Sequence, residues 1–568
     1  MDAMTWSLVI AIWAVCTLGK TCPIPLALPI TDVQVDPAIP DSIMRGIPAR
    51  IGTPAQNIVM VPWPDLNNTY IYDDQSPCNS RVVWNEKICR IRRGGNYLET
   101  KSSSFSKLFD LVAAGGATQE IGTRGSESGV PKLISTSLAG TDVFAAGTIT
   151  SSNGTMMPIG IPRQQWDNGY TTLHPLGLGS NSTYLNALAA AKMIPSRVWS
   201  IFWGRMWTGS ATTDMDGSIV LGGYDKEKVI GRNFTQPLDY SEETGCWTGM
   251  KVTVSDFIVN FKNGTDVSLM PRNSAVTVCI VPQRQLLWEA PAGIIGNFEV
   301  ATGMIERNMS FGLHRDARVV NMSNVQTIFD GDVTFLLSSG MQVRVPNNQF
   351  IVPAVDFDSN GSRTVNKSQK EILMSPVGSN PATLGRYFFT SAYLMVDHDA
   401  GTFTLWQANP STKSTLTPVI SKASDGGCKV ETDDGDGAGA SSSSSVNKGV
   451  IAGAAVGGAA VLAGLAALIV FLLRRKKKKQ NMQANIPLQQ SQETDEGFYY
   501  KVDNSGPKEV PGSLPHMAEM RADEWHRPGE LHGESVDGPH GNASIPMPER
   551  LTYELDGNGM QQGQRGQY

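Results

Sequence analysis

From about Asp41 to Ala408 the chain alternates short β-branched and aromatic runs with Gly, Asn, Asp and Pro punctuation, and it carries no long amphipathic run at helical period. Asn57–Val61, Gly217–Leu221, Lys251–Val254 and Thr402–Trp406 each read as a strand, since such runs suit a pleated, half-buried surface bounded by turns. Tyr184 to Met193, following Asn181-Ser182-Thr183, is the clearest short helix, with Leu, Ala and Lys at helical spacing behind a capping hydroxyl. The pattern predicts a mainly β region.

The pattern changes outside that region. Residues 449–473 run for 25 positions without a charge, long enough at about 1.5 Å per residue to cross a hydrocarbon core of roughly 30 Å. The basic run Arg474–Lys479 follows at once, so the positive-inside bias puts the C-terminal side in the cytosol. Trp6–Leu18 is too short for a comfortable span and fits the apolar core of a signal peptide ending near Lys20, although Asp2 and no basic residue precede it. The expected organisation is a signal peptide (1–20), an ectodomain, a Ser/Gly/Asp-rich stalk (409–448), a transmembrane helix (449–473) and a disordered cytoplasmic tail (474–568). Within the span, Gly449, Gly453 and Gly457 share one helix face and would let two copies approach closely, which suggests a homodimer; small residues in an apolar span also produce this spacing by chance.

Composition sharpens the topology. The 568 residues exceed one domain, and a net charge of −6 without a basic face gives a nucleic-acid partner no support. Nine glycosylation sequons precede the span, at Asn67, Asn153, Asn181, Asn233, Asn263, Asn308, Asn321, Asn360 and Asn366, against one after it at Asn542, as a luminal ectodomain requires. Of seven cysteines, Cys78 and Cys89 form the first expected disulfide; Cys246 with Cys279 is a second candidate whose connectivity the sequence leaves open. His174, His314 and His398 lack metal-ligand spacing, and Gly125-Ser126-Glu127-Ser128-Gly129 does not fit a nucleophile elbow, so neither metal, cofactor nor serine chemistry is expected.

One set of elements recurs in a known order. Ile51-Gly52-Thr53-Pro54 leads to Trp63-Pro64-Asp65, and Cys279-Ile280 leads to Val281-Pro282-Gln283. Leu176-Gly177-Leu178-Gly179 and Leu384-Gly385-Arg386-Tyr387-Phe388 are paired apolar-Gly elements; Gly94-Gly95 before Lys101–Phe105, Asp216–Asp225 and Tyr393–Asp397 complete the series. Together they resemble the pepsin-like aspartic proteases (peptidase A1), and in particular degenerate, membrane-anchored members of filamentous fungi. The resemblance implies two β lobes, 41–225 and 226–408, with a cleft between them. It also puts Trp63 and Val281 where the two catalytic aspartates would stand. Aspartic proteolysis needs two carboxylates sharing one proton, and neither Trp63 nor Val281 can exchange a proton or orient water. Asp65, Asp73 or Asp74 could substitute on the first side, but the Val281 segment offers only Glu289, eight residues on. The expectation is a type I membrane glycoprotein that binds or senses a peptide, protein or cell-wall ligand. An active endopeptidase with displaced acids and a glycosylated adhesion or spacer protein are the competing readings.

Overall fold

The computed structural model describes residues 23–74, 85–118, 130–147, 154–163, 172–210, 212–305, 308–323 and 328–420. The expected signal peptide, transmembrane helix, most of the stalk and the tail lie outside these, with Cys78, Asn153, Gly449, Gly453 and Gly457. Among the described residues no helix is long and apolar enough to cross a membrane. All of the described residues belong to one compact unit.

The architecture is mainly β. A thirteen-stranded sheet holds most strands of the N-terminal half, and an eight-stranded sheet is built from the C-terminal half. Three strands, Arg318–Asn321, Arg363–Ile372 and Ile351–Phe357, form a further small sheet. The first sheet is not confined to one half: Ala392–Asp397 pairs with Val198–Arg205, and Val229–Pro237 closes its edge against Thr402–Ala408. The chain's last strands therefore sew the two halves together, and the second sheet starts only at Lys251–Asn260.

The folded region also begins before Asp41. Leu26–Gln34 lies between Met215–Leu221 and Ile43–Ile51, in register from Leu26↔Leu221 to Gln34↔Ile43. Pro25 precedes this strand and Pro29 lies within it, and proline is a poor strand signal even where one neighbour's ladder tolerates it. At the other end, Leu416–Pro418 pairs with Gly223–Asp225, past the expected limit at Ala408.

The four sequence-predicted strands all form, within Gln56–Trp63, Met215–Leu221, Lys251–Asn260 and Thr402–Ala408. The helix forms at Thr183–Ala190, where Ser182 Oγ accepts from Leu185 N at 3.2 Å and satisfies a donor of the first turn. One continuous apolar core runs from Leu28 to Leu405 through both halves, and Phe257, Trp288 and Phe335 pack edge-on at its C-terminal end. The disulfide Cys246–Cys279 pins the loop before Lys251–Asn260 to the strand Val276–Ile280. Cys89 is disulfide-bonded as well, and Cys78, its expected partner, lies outside the described residues.

Candidate functional site

Two loops with the same local construction face each other. The strand Gln56–Trp63 delivers Trp63 and runs parallel to His174–Gly177, with Trp63 opposite Gly177. Leu178 N then donates to Trp63 O at 3.0 Å, and Gly179 N to Leu66 O at 2.9 Å. In the second half the strand Val276–Ile280 runs parallel to Ala382–Leu384; Val281 N donates to Leu384 O at 2.8 Å, and Gly385 N to Leu287 O at 3.1 Å. Each apolar-Gly element crosses its loop at van der Waals range. A Cβ on Gly177 would come within 2.4 Å of Asn68 O, and one on Gly385 within 2.2 Å of Leu286 O, so only glycine permits either crossing.

Both first positions are buried and apolar. Trp63 is fully buried in a cluster with Val61, Leu66, Tyr70, Tyr72, Val130 and Leu133. Val281 is fully buried in a cluster with Cys246, Trp247 and Cys279, whose two cysteines are disulfide-bonded. At the second positions Pro64 and Pro282 have no N–H to donate. The third positions meet: Gln283 Nε2 donates to Asp65 Oδ1 at 3.0 Å, a buried bond between the halves. Where a shared proton between two carboxylates would be needed, a carboxylate instead accepts from a neutral amide. Arg386, also buried, holds the second loop from below, donating from Nη2 to Gln283 O and from Nε to Arg284 O at 3.2 Å, with its guanidinium 4.9 Å from the Trp203 ring.

The other candidate acids are placed elsewhere. Asp73 pairs with Arg163, which also binds Glu99 at 2.8 Å; Asp74 is exposed. Glu289 accepts from Thr383 Oγ1 at 2.5 Å and lies 3.6 Å from Arg284 Nε. The structure brings the two loops and their glycine elements together. Sequence reading missed Arg386 as a support, although its position after Leu384-Gly385 marks it as close to the second loop.

The three histidines among the described residues are held in internal hydrogen bonds. His174 is fully buried; its Nδ1 accepts from Tyr72 N at 3.0 Å and its Nε2 lies 3.1 Å from Gly95 O, which fixes the neutral Nε2–H tautomer. Burial lowers its pKa to about 3, and the nearby Arg93 acts in the same direction. His314 sits between Glu371 Oε2 at 2.6 Å and the Tyr387 hydroxyl at 2.7 Å, and His398 Nε2 is 2.9 Å from Leu178 O. Among the described residues no group of His, Cys, Asp and Glu could hold a metal ion.

The halves are also tied away from the loops. Arg92, buried on the helix Glu86–Arg92, donates to Phe311 O at 2.9 Å and Gly312 O at 2.7 Å. Asn85 Nδ2 reaches Ser359 O at 2.8 Å, Ser362 Oγ reaches Pro40 O at 2.6 Å, and Phe357 joins the core cluster of Trp63, Ile88 and Ile91. The hairpin of Ile351–Phe357 and Arg363–Ile372 thus lies across the boundary.

The sequons sort by exposure. Asn181, Asn233, Asn263, Asn308, Asn360 and Asn366 are exposed and Asn321 is half-buried. Asn67 departs from expectation: it is 4 % exposed, its Nδ2 donates to Thr118 O at 3.1 Å, and its Oδ1 accepts from Asn181 N at 3.0 Å, so the fold leaves no room for a glycan there. No protein-family model and no curated protein matches this chain.

Proposed function

We propose that this chain is a pepsin-like protein of the peptidase A1 type that has lost proteolysis and works by binding. It is a type I membrane glycoprotein whose two lobes face the lumen or cell exterior and engage a peptide, a protein or a wall component, with the tail on the cytosolic side. The observation that carries this reading is the Gln283–Asp65 bond, flanked by fully buried Trp63 and Val281, at the meeting point of two loops of matching construction. The matching loops support the pepsin-like ancestry. Their contents supply no proton relay: an amide has no accessible pKa, and an indole and an isopropyl group exclude water from the place where it would be activated.

The buried, neutral His174 supports the same reading from another side. Acid favours the unfolded chain, which can protonate His174, so the fold loses stability in the acidic range where a shared-proton carboxylate pair works. The test is retention without turnover. The secreted ectodomain, residues 23–420, is mixed with a diverse peptide library and separated by size exclusion, and the retained peptides are identified by mass spectrometry. Intact peptides with a shared sequence pattern are expected in the protein fraction; a protein fraction empty of peptides at near-millimolar library concentration would contradict peptide binding.

A further inference from the structure

A pocket of about 380 Å³ opens in the C-terminal half beside the small three-stranded sheet. Its walls include Asn308, Phe311, Thr364, Asn366, Gln369 and Glu371, and no Lys, Arg or His lines it among the described residues. Its floor is rigid. Glu371 accepts from Ser310 Oγ and is bonded to His314 Nδ1 at 2.6 Å, and His314 Nε2 is 2.7 Å from the Tyr387 hydroxyl, all four side chains being buried. Two apolar side chains of its lining are wet: Phe311 is 64 % exposed and Met309 40 %. Exposed apolar surface gathered in one place calls for a cover, and the polar wall calls for a cover with hydroxyl and amide groups.

We infer that the cover is the chain's own N-linked glycan, carried on Asn308. Asn308 lines the pocket, is exposed, and its side chain makes no hydrogen bond among the described residues, so its Nδ2 is available for linkage. The first sugar, an N-acetylglucosamine, has an apolar face to lay on Phe311 and an acetamido N–H and hydroxyls that the carboxylate and amide oxygens of the wall accept. A wall without cations suits such a neutral sugar. Ser310, the third residue of the sequon, is buried, so attachment precedes folding and the fold then closes on the linked sugar. This inference rests on the luminal placement proposed above.

The test uses the full chain made in a eukaryotic secretory host and treated, while folded, with a peptide-N-glycosidase, release being followed site by site by mass spectrometry. Release at Asn308 is expected to be slower than at exposed Asn233 and Asn263 by roughly tenfold, the factor that about 1.4 kcal/mol of contact makes. Phe311→Ser alters only an exposed side chain and keeps the carbonyl that holds Arg92; it should raise the Asn308 rate to that of the other two sites. Equal rates in the unmodified chain overturn the inference, as does an empty Asn308 beside occupied Asn233 and Asn263, an outcome that leaves the luminal placement standing. Absence of glycan from every site overturns both.

Discussion

At the scale of single residues, the decisive contact is Gln283 with Asp65. Replacing Gln283 by Leu removes the amide donor and leaves Asp65, 8 % exposed, without this partner, so the variant should lose about 1–3 kcal/mol in denaturant unfolding. A loss below about 0.5 kcal/mol would mean that the bond does not hold the loops together. His174 makes a prediction of opposite dependence on conditions. Its pKa falls on folding from an ordinary 6.5 to about 3, so the unfolded chain binds the proton that the folded one refuses. Its contribution is complete above pH 6.5 and is lost as pH falls toward 3, by about 2 kcal/mol at pH 5 and about 3 kcal/mol at pH 4. Burial lowers His398 as well, to about 4, and adds a slope of the same sign, so unfolding curves at pH 4, 5 and 7 should fall more steeply than His174 alone dictates, and His174→Asn should remove its share of the fall whatever the variant costs at neutral pH. The absence of carboxylates at positions 63 and 281 was legible from the sequence alone, because it is a matter of residue identity. The Gln283–Asp65 bond was not, since it joins positions 218 residues apart through side chains whose directions only the fold sets.

At the scale of elements, the apolar runs with turn punctuation located the strands well where the pattern was strong, as at Gln56–Trp63 and Thr402–Ala408. They failed at Leu26–Gln34, where the flanking and internal prolines outweighed an alternation that the sheet nevertheless uses. The family resemblance puts the boundary between lobes near Asp225, and Val229–Pro237, on its far side, pairs within the first sheet; strand partners distant in sequence leave no local signal of this pairing. Cysteine spacing left the pairing of Cys246 open; proximity of the two strands decides it. The bond closes a loop with a sequence separation of 33, so chain entropy assigns it roughly 3–4 kcal/mol. Cys246→Ser with Cys279→Ser should lower unfolding stability by up to that amount, and hydrogen exchange should accelerate first in Val276–Ile280, directly before Val281. Uniform acceleration across both sheets would instead show that the disulfide acts on global stability alone.

At the scale of the whole molecule, the claim is a luminal binding unit derived from a proteolytic frame. Glycopeptide mapping of the secreted ectodomain should find sugar on exposed Asn181, Asn233, Asn263 and Asn360, and none on buried Asn67; a glycan on Asn67 would require a different packing of the Asn67–Thr118 contact. The sequence carried the sequon count, while burial, which separates usable from unusable sequons, needed three dimensions. The ties made by Arg92, Asn85 and Ser362 hold the halves in one arrangement, and such rigidity suits recognition of a fixed shape. The most direct test of lost proteolysis is turnover of a diverse peptide mixture by the folded, glycosylated ectodomain from about pH 3 to 7, with and without pepstatin, scored by mass spectrometry, over the range in which shared-proton carboxylate pairs operate. The account predicts no cleavage at any pH; acid-dependent cleavage that pepstatin blocks would contradict it and would show that a carboxylate pair is rebuilt around Asp65.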